Sequence, residues 1–183
     1  MRRLLTAALC LAIVLMAAAT AAGRGATRGT LRTLPGGEAL GLHIEGFAEL
    51  KVTGDGTVVR AEVRGLVPGK TYAAHLHAAA CSDNQGDGHY KNDPDGPSKP
   101  PNELWLSSTD NPLAGITADE HGAAYGRGTA DWVPKSNNLS VVIHDIPPDG
   151  TTAGGTKIAC ADLPVHRSHH DGGSGDWQGD GDN

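Results

Sequence analysis

A chain of 183 residues has room for one domain with a sizeable core and little room for a second. Its 21 acidic residues against 15 basic ones give a formal net charge of −6, which argues against nucleic acid as a partner. A small anionic substrate would need a local positive field to draw it in, because the net charge repels it.

Arg2 and Arg3 precede an apolar run from Leu4 to Ala19 that ends in small residues, the pattern of a secretory signal peptide over residues 1–21. A membrane anchor is the alternative reading, but the run sits at the short edge of the spanning range. No other segment could cross a bilayer, so the mature form is expected to have no membrane span. Cys10 would leave with the signal. Cys81 and Cys160 then remain as an even pair in an export context, where a disulfide is expected.

Residues 22–37 are rich in glycine and arginine with little apolar periodicity, and they read as a flexible lead-in to a domain over residues 38–163. Ala48, Leu50 and Val52 alternate on one face, the turn Gly54-Asp55-Gly56 follows, and Val59, Ala61 and Val63 alternate again. This pattern predicts a β-hairpin. After the turn signal Leu66–Gly69, Thr71 to His77 reads as a strand with Tyr72, Ala74 and Leu76 on one face and two histidines on the other.

Cys81 to Pro101 is almost devoid of apolar residues and must be a long loop, of the kind that is usually functional or disordered. Glu103–Leu106 is a short apolar segment, and Thr117–Gly122 is another turn. Asn138–His144 predicts a strand with Leu139, Val141 and Ile143 facing inward and Ser140, Val142 and His144 facing the other way. Lys157–Ala161 is a last short strand. Residues 164–183 are rich in Gly, Asp and His, cannot bury a core, and are expected to be disordered. With no convincing amphipathic helix and short β-runs punctuated by Gly and Pro, the fold class is an all-β sandwich or barrel.

His75 and His77 stand two apart in an extended strand, so they share a face with Cα atoms roughly 6.5–7 Å apart. Two imidazoles at that spacing can share a metal ion, although zinc, copper, iron and nickel all suit them. Judged by its own neighbourhood, His144 is a satisfied core histidine and His89 a solvated loop residue. His43, His121, His166, His169 and His170 remain unassigned: His121 belongs to a solvated turn, and for the three tail histidines ordering a mobile tail around a metal costs conformational entropy.

Several motifs occur in order: GLVPGKTYAAHLH at Gly65 to His77, Cys81, GHY at Gly88 to Tyr90, then ITADEHGAA, SVVIHD and TKIAC. This set resembles the copper-zinc superoxide dismutases, from about Phe47 to Leu163. The resemblance implies an antiparallel Greek-key β-sandwich or barrel, immunoglobulin-like in type. It implies His75, His77, His89 and His144 as ligands of one copper ion, with His89 in the position that bridges copper and zinc in two-metal relatives. It also implies a Cys81–Cys160 disulfide, and an enzyme that disproportionates superoxide to dioxygen and hydrogen peroxide outside the cytoplasm.

The departures from the family pattern are specific. No histidine lies between Tyr90 and Glu120, and Asp93, Asp95 and Asp110 alone would make a poor tetrahedral zinc site, so the zinc site is expected to be absent. The short stretch from His144 to Cys160 leaves no space for a long charged loop. The chain therefore looks like the copper-only, secreted branch. Lys157 stands where the family usually has an arginine; it supplies positive charge to guide the anion but lacks the planar fork, and a solvated strand-end charge is the alternative. Glu103 is expected to accept a hydrogen bond from His89 in place of zinc, because metal-bound histidines usually donate to a carboxylate or carbonyl. The rival function is a secreted copper-binding, storage or transfer protein with little dismutase turnover.

Overall fold

Apolar alternation sets the framework. In the computed structural model, which describes residues 26–54, 56–145 and 155–164, the predicted hairpin is β3 (Glu45–Thr53) and β4 (Gly56–Arg64). They pair in a register that sets Ala48 opposite Ala61 and Leu50 opposite Val59. Before them come β1 (Thr27–Thr30), β2 (Arg32–Thr33) and a one-turn helix α1 (Pro35–Ala39); after them come β5 (Thr71–His77), β6 (Ile116–Thr117), β7 (Ala124–Ala130), β8 (Asn138–Asp145) and β9 (Thr156–Pro164). The expected signal peptide, the tail beyond Pro164 and the three tail histidines lie outside the described residues.

These strands form two antiparallel sheets, one ordered β1-β3-β4-β7 and the other β2-β9-β8-β5-β6, so the architecture is the expected all-β Greek-key sandwich. Between the sheets, Leu50, Val59 and Val63 meet Leu76, Leu139, Val141, Ile143 and Ile158, all buried. Each large side chain removed from water there contributes about 1.5–3 kcal/mol, offset in part by lost chain entropy.

The lead-in is a correction. The flexible segment expected over residues 22–37 is ordered structure from Thr27 onward. Its glycines serve close approach. A Cβ at Gly29 would stand 1.9 Å from the Asp162 carbonyl oxygen, and one at Gly37 would stand 2.5 Å from that of Ile158. Leu31 and Leu34 are the buried anchors of this segment, Leu31 in the main core and Leu34 beside Val142 and Cys160.

Strand β7 was not predicted, because its inward positions are Ala124, Gly126, Gly128 and Ala130. The volume those small residues leave is filled from elsewhere. Ile116 and Leu106 lie against Gly126, and Leu104 lies against Gly128. The last strand is also longer than Lys157–Ala161, since Leu163 still reaches the core.

The five-stranded sheet is unusual in being buried on both faces. Every residue of β5 after Thr71 is buried, including His75 and His77. The covering layer is the polar segment that follows β5.

Candidate metal centre

Register decides which side chains meet on that second face. Across the sheet, His75 sits opposite Val142, which sits opposite Cys160. Similarly, His77 sits opposite Ser140 and Ala73 opposite His144, and His144 is paired with Lys157 across a bulge. The free edge of β5 is completed by two single pairs, His77 with His89 of the long loop and His75 with Trp105 of the short apolar segment after it. Backbone bonds fix them, from Leu106 N–H to the Ala74 carbonyl (2.8 Å) and from Tyr90 N–H to that of Leu76 (2.8 Å). Directly paired residues of antiparallel strands share a face, so His89 is brought beside His77 and Trp105 beside His75.

The four histidines thus form one cluster, with one ring nitrogen from each lying within 4.8 Å of the others. Their hydrogen bonds assign the tautomers. Nδ1 of His77 donates to the Asp87 carbonyl (3.0 Å), Nδ1 of His144 to the Gly155 carbonyl (3.0 Å) and Nδ1 of His89 to Glu103 Oε2 (2.8 Å). Each of these rings therefore keeps a lone pair on Nε2. Nε2 of His77 and Nε2 of His144 face each other at 3.1 Å. Two lone pairs at that distance repel unless a cation lies between them.

A proton is a poor candidate for that cation at neutral pH. Burial, reinforced by the neighbouring imidazoles, pushes His77 down to about 2, against the pull of its bond to Asp87. Burial likewise lowers His144 to about 4, opposed by its bond to Gly155. His75 is held still further below the ordinary imidazole range, first by burial and then by the other three rings. Nδ1 of His75 is buried and has no hydrogen-bond partner among the described residues. An unpartnered buried nitrogen and three converging Nε2 lone pairs fit a metal ion with imidazole ligands, for which copper, zinc, iron and nickel are all suitable.

Glu103 is 2% exposed and lies against His89, whose Nδ1–H it accepts. His89 keeps 26% of its side chain exposed and forms the open edge of the cluster. Cys81 and Cys160 are bonded, with the sulfurs 2.06 Å apart, and they tie the start of the covering segment to β9. Lys157 lies next to the cluster, but its ammonium is engaged, donating to the carbonyls of Asn84 (3.1 Å) and Asp87 (2.6 Å). Burial lowers its pKa, and the Asp87 carboxylate opposes that shift.

Asp93 serves its own turn, where Oδ1 accepts from Asp95 N–H at 3.1 Å. His121 lies in the exposed turn expected for it, with its N–H on Asp119.

Four contributors escaped the sequence reading. The carbonyls of Asp87 and Gly155 orient two rings, and no side-chain pattern reveals a carbonyl. Asp162 Oδ1 accepts from Cys81 N–H at 2.6 Å and so helps hold the covering segment. Trp105 donates its indole N–H to Glu103 Oε2 at 2.8 Å. The only visible signal for Asp162 and Trp105 was their spacing from Cys160 and Glu103, two positions on.

Asp87 closes a turn in which Asn84, Gln85, Gly86 and Asp87 all have positive φ, from 47° to 89°. Three residues that are not glycine in a left-handed run cost roughly 1–2 kcal/mol each. The arrangement turns the Asn84 and Asp87 carbonyls toward Lys157 and His77.

No protein-family model matches this chain, and no curated protein matches it. Among solved structures, the crystal structure of a point mutant of an SOD-like protein from Bacillus subtilis is similar, with a TM-score of 0.50 and 19% sequence identity. The match covers 75% of this chain and 97% of that one. At that identity the likeness shows the fold: the chain is a β-sandwich of the SOD-like type. The four-histidine cluster and the disulfide fit such a fold.

Proposed function

We propose that this chain is an extracytoplasmic, copper-dependent superoxide dismutase without a zinc site, with superoxide as its small-molecule partner. The observation that carries the reading is the pair of deprotonated Nε2 atoms of His77 and His144 facing each other at 3.1 Å inside a buried four-imidazole cluster. His75 through Nδ1, and His77, His89 and His144 through Nε2, would hold the ion. Copper supplies a one-electron couple that can oxidise one superoxide to dioxygen and reduce a second toward hydrogen peroxide. The disulfide supports an oxidising compartment, and no helix among the described residues is long and apolar enough to cross a membrane.

The residues divide the remaining work. His77 and His144 are fixed by carbonyls and buried, so they hold position. His89 reaches solvent at its edge while its Nδ1–H stays on Glu103, so its Nε2 is the one ring nitrogen that would either hold the ion or, when not holding it, take a proton from water and pass it to a substrate oxygen. Glu103 thereby takes the orienting role that zinc has in two-metal relatives. Lys157 supplies positive charge next to the cluster in a chain whose net charge repels anions.

The test is to load the purified protein with copper and measure metal stoichiometry together with superoxide decay. One copper per chain with decay accelerated, and that acceleration lost in His144→Ala, is the expected result. A stoichiometric zinc at this site would overturn the copper assignment. One tightly held copper without acceleration would instead identify a copper-storage or transfer protein. The engagement of Lys157 by two carbonyls favours that second reading, because those bonds occupy two of the three ammonium N–H donors that would otherwise meet the anion.

A further inference from the structure

Trp105 touches the cluster from two directions. Its indole N–H donates to Glu103 Oε2 at 2.8 Å, and the same oxygen accepts from His89 Nδ1 at 2.8 Å. Its ring lies against His75, with centroids 4.6 Å apart and planes tilted by 54°. Its backbone is paired with that of His75 across the edge of β5. His75 and His89 come from different segments, one from a strand and one from the covering loop, yet their rings approach to 4.2 Å.

A carboxylate oxygen with a single donor can turn about its side-chain bonds. Glu103 is buried, but its carboxylate could still rotate to present either oxygen to His89 or to tip out of the imidazole plane. A second, rigid donor on the same oxygen removes that freedom, because the indole is planar and its ring is pinned against His75. We propose that Trp105 is a positioning residue of the four-histidine centre: its N–H fixes the Glu103 oxygen that aims His89, while its ring supports His75.

The function of this arrangement rests on the copper reading above, but the positioning itself is legible in the metal-free protein. The probe is hydrogen exchange at three ring N–H groups, the indole of Trp105 and Nδ1 of His89 and His77, followed by NMR in the full metal-free chain. Copper affinity is measured separately by competition with a chelator.

In Trp105→Phe the ring contact survives and the donor is lost. The Nδ1–H of His89 is then expected to exchange at least about tenfold faster, with His77 unchanged, and copper to bind roughly tenfold more weakly, the low end for loss of a group that orients a ligand. A ring that only filled space would leave the His89 signal where it was, and that result overturns the proposal.

If the Phe variant does not fold, the wild type still decides. A Trp105 indole N–H that exchanges as fast as a free indole overturns the proposal. Slow exchange at Trp105 and His89 that is lost together in Glu103→Ala supports it. Failure of the protein to bind copper, with the coupled exchange intact, would sink the dismutase reading alone. Tight copper with an unmoved His89 would sink this inference alone.

Discussion

The two sheets of the sandwich carry their outer faces differently. On the four-stranded sheet, β4 and β7 keep the alternation the sequence shows, with buried Val59, Ala61 and Val63 between more exposed neighbours, and Tyr125 and Arg127 turned to solvent. Its outer face carries charged side chains, with Arg60 and Glu49 paired at 3.1 Å. On the five-stranded sheet, β5 and β8 are buried on both faces, and the second face carries His75, His77 and His144 beside Val142, with His89 set against them by the covering segment. The first face costs nothing to leave in water. Burying imidazoles is costly unless each is satisfied, and here the covering segment supplies the Asp87 carbonyl and the Glu103 carboxylate that satisfy two of them. A second layer of irregular chain is what separates the histidine-bearing face from the charged one.

Acid should break that difference most strongly. An unfolded imidazole binds its proton near 6.5, whereas His77 stays neutral down to about 2 and His144 down to about 4. The unfolded state therefore takes up protons first as pH falls, and stability present above 6.5 is lost between 6.5 and about 4. At roughly 1.4 kcal/mol per pH unit for each ring, the pair withdraws on the order of 6 kcal/mol over that window, comparable with a whole domain's stability. Denaturant titrations of the metal-free protein at pH 7 and pH 5 test this. Replacing both rings with glutamine should flatten the slope, and an equally steep slope in that variant would place the acid sensitivity elsewhere.

Cutting the tie of the covering segment comes next. Cys81 and Cys160 close a loop with a sequence separation of 79, so changing both to serine is expected to cost about 3–5 kcal/mol on the chain-entropy model. On the other sheet, Arg60→Ala removes a partly exposed ion pair and is expected to cost no more than about 1 kcal/mol. Urea unfolding midpoints compare the two directly. Similar losses would mean that the covered face has no special dependence on its cover.

The same contrast governs what could be read from the sequence. The strands β3, β4, β5 and β8 were legible because their inward residues alternate, and so was the shared face of His75 and His77. Strand β7 was not, since glycine and alanine carry no periodic signal and the apolar volume over them comes from Ile116, Leu106 and Leu104. The glycines of the first strands were read as freedom when they mark backbones in contact. His89, His144 and Glu103 entered the predicted site through the resemblance, because the pairing of His77 with His89 and the bulge before His144 are long-range events with no local trace. Trp105 looked like one more apolar residue, since a side chain that works through Glu103 has no signature of its own.

Lys157 sharpens the comparison at the level of rate. If its charge steers superoxide toward the covered face, Lys157→Met should slow superoxide decay about tenfold at low ionic strength and weaken the salt dependence, while Lys157→Arg retains both. A Met variant with an unchanged rate and reduced copper binding would show that its bonds to Asn84 and Asp87 matter through loop position alone.

The smallest effect is expected where the cover stores strain. Gln85 has φ of 59° in the left-handed turn that aims the Asp87 carbonyl at His77. Glycine there avoids the roughly 1–2 kcal/mol that an L-residue incurs but loses about 0.5–1 kcal/mol to chain entropy, so Gln85→Gly should stabilise by about 0.5–1 kcal/mol. The neighbouring position behaves in the opposite sense. A Cβ on Gly86 would lie 2.8 Å from Val142 Cγ2 and 3.4 Å from the Cβ of His77, so Gly86→Ala pushes the turn off the sheet. Thermal melts of both variants, with the Nδ1–H signal of His77 followed by NMR, separate the two. Gln85→Gly should raise the melting temperature and leave that signal in place, whereas Gly86→Ala should lower the one and shift the other. A turn in which both changes were neutral would not be pressed against β5 at all, and the cover would have no hold on His77.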